Sequence, residues 1–137
     1  MKTIAVISQK GGAGKTTLSV HLAVAAESKA VRAAIIDLDP QASAAGWGDS
    51  RESDSPAVVS AQASRLNTVL DAARNAGAGL AIIDTAPHSE GSALAAARSA
   101  DLILIPCRPA ILDLRAISST IELAKLAGKP CAVVLNA

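Results

Sequence analysis

Residues 7–20, ISQKGGAGKTTLSV, set Lys10 and Lys15 around Gly11, Gly12 and Gly14. Glycines between an apolar run and a helix start leave backbone N–H groups open to an anion, and the helix dipole adds to the attraction. The usual phosphate-loop pattern is G-x-x-x-x-G-K-[ST]. Gly14-Lys15-Thr16 supplies its second half, whereas Gln9 stands where the first glycine belongs. The N–H groups of Gly11, Gly12, Ala13, Gly14, Lys15 and Thr16 are expected to cradle phosphate. Lys15 is expected to reach the β- and γ-phosphates, the Thr16 hydroxyl to bind Mg²⁺ and Thr17 to reach the α-phosphate. Such a loop needs one lysine, so Lys10 asks for a separate explanation.

Three aspartates complete the chemistry. In IIDLDPQ, residues 35–41, Asp37 and Asp39 lie two apart and point to one side of an extended chain. Pro40 biases Asp39 away from a helical turn. Two carboxylates beside one phosphate site repel each other unless a cation sits there, and Mg²⁺ is the expected cation. In LAIIDTAP, residues 80–87, Asp84 closes an apolar run, as the acceptor for Mg²⁺-bound water does in phosphate-loop enzymes. His88 and Glu90 follow and read as exposed loop residues.

The elements that position these groups alternate. Apolar runs at 3–8, 31–37, 57–59, 80–84, 101–106 and 131–136 read as strands, and 15–30, 64–77, 89–100 and 113–128 as helices. Continuous rather than alternating apolar strands point to a sheet covered on both faces. The expected fold is therefore α/β: three layers, doubly wound, with a mostly parallel sheet. Residues 41–56 are polar, small and glycine-bearing and read as a loop. Trp47 lies there between Gly46 and Gly48, either as a peg on the core or on a segment that moves with a bound nucleotide.

Of 137 residues half are apolar, yet Phe and Tyr are absent and Trp47 is the only aromatic, so Ala, Val, Ile and Leu must build the core. A net charge of +1 excludes a strong global field for nucleic acid or membrane. No apolar run approaches the roughly 20 residues of a membrane span. The first residues read as a strand, not a signal peptide. Cys107 and Cys131 have no metal-ligand spacing and read as buried, reduced thiols. There is no internal repeat. The chain stops straight after a strand, which suggests further C-terminal sequence.

QKGGAGKTT resembles the deviant phosphate loop K-G-G-x-G-K-T of the ParA/MinD family of dimeric ATPases. The resemblance implies one phosphate-loop ATPase domain over residues 1–137, lacking its C-terminal part, with ATP and Mg²⁺ as cofactors. In that family the first lysine enters the partner subunit of an ATP-dependent sandwich dimer, so Lys10 would serve the neighbour's phosphates and Lys15 its own. Asp37-Leu38-Asp39-Pro40-Gln41 is similar to the family's D-x-D-P-Q, which implies Mg²⁺ support from Asp37 and a water-positioning role for Asp39. Asp84-Thr85-Ala86-Pro87 is similar to D-T-P-P, with Ala86 in place of the first proline. Catalysis would then rest on Lys10, Lys15 and Asp39, and metal binding on Thr16, Asp37 and Asp84. Residues 102–116 resemble the family's strand and partner-facing loop, making Arg108 and Arg115 candidates for interface or nucleotide contacts. Asn136 falls where relatives place an adenine-contacting residue. The implied function is plasmid or chromosome partition in the cytoplasm, on the nucleoid, with a ParB-like protein and non-specific DNA as partners and no membrane. The alternatives are a MinD-like ATPase on a membrane, an iron–sulphur carrier, and a nucleotide-binding module without turnover.

Overall fold

The structure, a computed structural model, describes residues 1–136, and the side chains of these apart from 111–115. Strand and helix alternate: β1 (Lys2–Val6), α1 (Lys15–Ser28), β2 (Ala33–Asp37), α2 (Ser43–Asp49), β3 (Ala57–Ser60), a 3₁₀ turn (Ala63–Arg65), α3 (Leu66–Asn75), β4 (Leu80–Asp84), α4 (Glu90–Ser99), β5 (Leu102–Cys107), α5 (Ile111–Ala127) and β6 (Cys131–Leu135). The strands form one six-stranded sheet in the order β3-β2-β4-β1-β5-β6, and every neighbouring pair runs parallel.

Parallel pairing forces a crossover helix after nearly every strand, and the direction of each crossover decides its face. The chain leaves β1 towards β2 through α1, and leaves β4 towards β5 through α4. The winding direction therefore reverses between β1 and β4, and the carboxyl ends of these two strands border a crevice. On one face Val6, Ile35 and Ile82 pack with Ala23 of α1 and Ala44 of α2. On the other Ala5, Ile36, Ile83 and Ile103 pack with Leu66 and Leu70 of α3, Ala96 of α4 and Ala124 of α5. Apart from the thiol of Cys107, the buried hydrophobic residues are Ala, Val, Ile and Leu. Small helix side chains let these helices lie close to the β-branched sheet, which is how a core without Phe or Tyr fills its volume.

Two expectations are corrected. Residues 41–56 are not a loop throughout, because Ser43–Asp49 form α2. Its fully buried Ala44 and half-buried Trp47, three apart, face the sheet, and the Arg51 guanidinium sits 4.5 Å over the indole ring. Trp47 is thus a peg on the core. Gly48 is a packing glycine: a Cβ there would lie 2.9 Å from Val58 Cγ2 on β3. The last strand, β6, lies at the sheet edge and leaves Leu135 64% exposed. An apolar run cannot by itself report whether its strand is central. The second correction follows from that edge position: Cys131 on β6 is exposed, whereas Cys107 on β5 is buried.

The two glycines of α2 should respond oppositely to alanine. At Gly46 nothing lies within 4 Å of an added Cβ, so Gly46→Ala should stabilise by about 0.5–1 kcal/mol through helix propensity. Gly48→Ala should lose that gain to overpacking against Val58 and destabilise by about 1 kcal/mol. Urea unfolding of both variants measures the pair. Equal stabilisation would mean that α2 does not lie on β3.

Candidate functional site

The loop between β1 and α1 emerges in the crevice at the winding reversal. Gly12 at φ 73° and Gly14 at φ 90° occupy the left-handed region, where a residue with a side chain is strained. Those turns draw the chain into a ring and lead it into α1, whose first intrahelical bond runs from the Leu18 N–H to the Gly14 carbonyl at 2.9 Å. The Lys10 N–H donates to Ser8 Oγ at 3.3 Å. Lys15 Nζ folds back over the ring and donates to the Lys10 carbonyl at 3.3 Å. Burial holds the Lys15 ammonium below the usual lysine range, against the opposing pull of the Asp84 and Asp39 carboxylates. Beside the ring lies a cleft of about 250 Å³ bounded by residues 11–17, Asp39, Ser43 and Pro87. It holds a backbone cradle, a buried cation and a helix N-terminus, the combination that binds an anion such as a phosphate chain.

Asp84 ends β4 in the same crevice and is fully buried. The Thr16 hydroxyl donates to Asp84 Oδ2 at 2.7 Å, and Ser19 Oγ approaches Oδ1 at 3.3 Å and the Lys15 carbonyl at 2.9 Å. Burial pushes the Asp84 carboxyl up to about 6. Asp37 adds to the rise, while the two hydroxyls and Lys15 oppose it. Asp37 stands in register with Asp84 on the neighbouring strand. Its Oδ1 accepts the Asp39 N–H at 3.0 Å, and its Oδ2 accepts the Ala45 N–H of α2 at 3.1 Å. One side chain thereby anchors both the Asp39 turn and the start of α2. Asp39 is half-buried at the cleft wall, and its Oδ1 accepts the Gln41 N–H at 3.0 Å. The Thr85 hydroxyl donates to the Val6 carbonyl at 2.8 Å and ties the ends of β4 and β1. Thr16 and Asp84 offer hard oxygen ligands next to the cradle, so the residues present fit a Mg²⁺ ion accompanying a phosphate chain.

The fold thus brings Lys15, Thr16, Asp37, Asp39 and Asp84 together. Thr17 lines the cleft as well. Lys10 is exposed on the loop. Asn136, just past β6, lies against the loop: an added Cβ on Gly14 would meet its Nδ2 at 2.5 Å. Arg108 reaches the loop from the end of β5 and donates to the Gly12 carbonyl. The side chain of Arg115 lies outside the described residues. His88 and Glu90 are exposed, as expected. Ser19 escaped the sequence reading, although its place three residues after Thr16, on the same helix face, was a usable signal. Pro87 at the cleft wall closes the D-T-x-P stretch, whereas Ser43 there carried no signal. Among the described residues no helix is long and apolar enough to cross a membrane.

Comparison with known proteins agrees with this fold. A sequence profile of the CobQ/CobB/MinD/ParA nucleotide binding domain matches residues 4–136. The maintenance of carboxysome distribution protein A of Gloeobacter kilaueensis is 38% identical over 91% of this chain, which spans 57% of that relative's length. Apo McdA from Cyanothece superposes with a TM-score of 0.81 at 20% identity, covering 98% of this chain and 72% of that one. The septum site-determining protein MinD of Pyrococcus horikoshii, complexed with Mg-ADP, superposes at 0.77 and 20% identity over 98% of this chain and 70% of its own.

The Asp84 carboxyl rises from 3.8 to about 6 on folding, so the folded chain holds that proton more tightly than the unfolded one. The associated stability is fully present below pH 3.8 and is lost as pH climbs through about 6. The loss amounts to roughly 3 kcal/mol at 1.36 kcal/mol per unit. Asp84→Asn should therefore stabilise the ligand-free chain at pH 8, with the advantage shrinking towards zero near pH 4. Thermal unfolding across that range checks it. A pH-independent difference would contradict the buried, charged carboxylate.

Proposed function

We propose, since this chain belongs to the CobQ/CobB/MinD/ParA nucleotide binding domain family, that it is a ParA-type partition ATPase. It binds ATP with Mg²⁺, dimerises around the nucleotides and hydrolyses ATP to ADP and phosphate. The observation that carries the reading is the ring of residues 11–17 with Lys15 buried inside it and Thr16 joined to Asp84 at 2.7 Å. Residues 1–137 act as one ATPase domain. The cargo is a plasmid or chromosome, hydrolysis is stimulated by a ParB-like partner, and the whole protein works on the nucleoid through non-specific DNA binding.

In this reading the N–H groups of Gly11 to Thr17 hold the phosphates. Lys15 leaves the Lys10 carbonyl for the β- and γ-phosphate oxygens, a charge-assisted contact in place of a neutral one. Thr16 and Asp84, supported by Asp37, would hold Mg²⁺, which would supply positive charge against the phosphates. Asp39, at the cleft wall, orients the attacking water and accepts its proton. Lys10 enters the partner's site and offsets the charge that develops on the transferred group. Asn136, beside Gly14, serves the base. The Pyrococcus horikoshii protein, crystallised with Mg-ADP, supports the choice of ligand.

A second reading follows from one finding. The Gloeobacter kilaueensis relative is named for carboxysome distribution. A carboxysome-like body is therefore the alternative cargo, moved by the same dimerisation cycle.

Lys15→Ala should weaken ATP binding by about 1.5–3 kcal/mol, the loss of a hydrogen bond to a charged group. Unchanged affinity by calorimetry would remove the loop from nucleotide binding. Lys10→Ala should keep near-normal monomer binding of ATP but abolish ATP-dependent dimerisation and turnover, as read by sedimentation. A variant that dimerises normally sinks the cross-subunit role. Asp39→Ala should retain ATP and Mg²⁺ and lose hydrolysis on the order of 100-fold. Full turnover in that variant would move the water-positioning role to another group.

A further inference from the structure

We infer that Arg108 is a positioning residue that sets the phosphate ring in its binding conformation before any ligand arrives. The inference rests on the nucleotide-binding reading above and deepens it.

Gly12, Ala13 and Gly14 border two clefts. The inner one, about 250 Å³, contains Lys15, Thr16 and Asp39. The outer one, about 330 Å³, is lined by Gly12, Ala13, Gly14, Arg108 and Asn136. Arg108 stands only on the outer side, where its Nη2 donates to the Gly12 carbonyl. A peptide unit is planar and trans, so its N–H points opposite to its C=O. With the Gly12 carbonyl turned outward to Arg108, the Ala13 N–H of the same unit turns inward, to the side that receives phosphate. Gly12 at φ 73° has no Cβ to hold this orientation by sterics, and a Cβ there would press on Arg108 Nη2 at 3.0 Å. The glycine that lets the ring turn would also let this peptide flip. Arg108 removes that freedom.

The backbone that carries this side chain is held in place. Arg108 follows the last residue of β5, the strand beside β1. Its carbonyl accepts the Ala110 N–H at 2.8 Å and the thiol of the buried Cys107 at 3.1 Å. The next strand adds a second brace, since the Asn136 N–H donates to the Cys107 carbonyl at 2.8 Å and the Asn136 side chain lies against Gly14. A cradle whose donors already face the ligand loses less conformational freedom on binding. A device of this kind acts on the phosphate chain and is indifferent to the nucleoside.

Calorimetry with two probes, inorganic pyrophosphate and ADP, tests this on the full chain with Mg²⁺. Arg108→Ala should weaken both by the same factor, about tenfold, as expected for losing one charge-assisted hydrogen bond that presets the site. Arg108→Lys, which keeps a cationic donor, should recover most of that loss for both probes. The ligand-free unfolding midpoint of each variant should match the wild type, which separates ring positioning from general destabilisation. If Arg108→Ala lowers that midpoint, the Lys variant carries the comparison, and a Lys variant that folds normally yet binds as poorly as Ala overturns the inference. Loss of ADP binding with pyrophosphate binding intact also overturns it, and would make Arg108 a nucleoside contact. Unchanged binding of both probes would leave Arg108 to a partner surface. A wild-type chain that binds neither probe fails the nucleotide-binding reading itself, and this inference with it.

Discussion

The hydrogen bond from Thr16 to Asp84, 2.7 Å across the crevice between β1 and β4, is the contact on which the rest of the molecule converges. It joins the first turn of α1 to the end of β4, residues 68 apart in sequence. Their meeting requires β4 to lie beside β1, and it requires the chain to wind outwards in both directions from that pair. The Thr85 hydroxyl on the Val6 carbonyl holds the two strand ends level. Ser19 fills the second face of the carboxylate from one turn further along α1.

That contact has a cost. A fully buried carboxylate with a second one, Asp37, in register beside it is held out of water at the expense of stability. The neighbouring ammonium is buried too, and spends its hydrogen bond on a loop carbonyl. The ligand-free site is thus a set of groups each satisfied by a modest partner and each suited to a stronger one. A phosphate chain with a divalent cation would meet all of them at once. The apolar layers above and below, built from Ile and Val against Ala, supply the rigidity that keeps such a site from relaxing.

Much of this was legible in the residues. Continuous apolar strands separated by helical spacing gave the layered parallel sheet, and the glycine run ahead of Lys15 gave the cradle, because both patterns are local. What was not legible depended on distant groups. The start of α2 carries no local cap. The Asp37 carboxylate, on another element, receives the Ala45 N–H, and two glycines hid the helix from a propensity argument. Gly48 read as part of a glycine-bearing loop, but its reason for being glycine is Val58 on β3. The exposure of Cys131 follows from the edge position of β6, which its apolar run does not encode. Arg108 was visible as a cation near the site, whereas its carbonyl partner 96 residues away was not.

The central claim is that residues 11–17, with the Asp84 loop beside them, are a ready-formed cradle for a nucleotide's phosphates. Amide hydrogen exchange, followed by mass spectrometry with and without Mg²⁺ and ADP, tests it most directly. The account predicts slowed exchange confined to segments containing residues 11–17 and 84–87, with the far ends of the strands unchanged. Exchange at residues 11–17 that is unaltered by saturating ligand, or protection that appears elsewhere in its place, would contradict it.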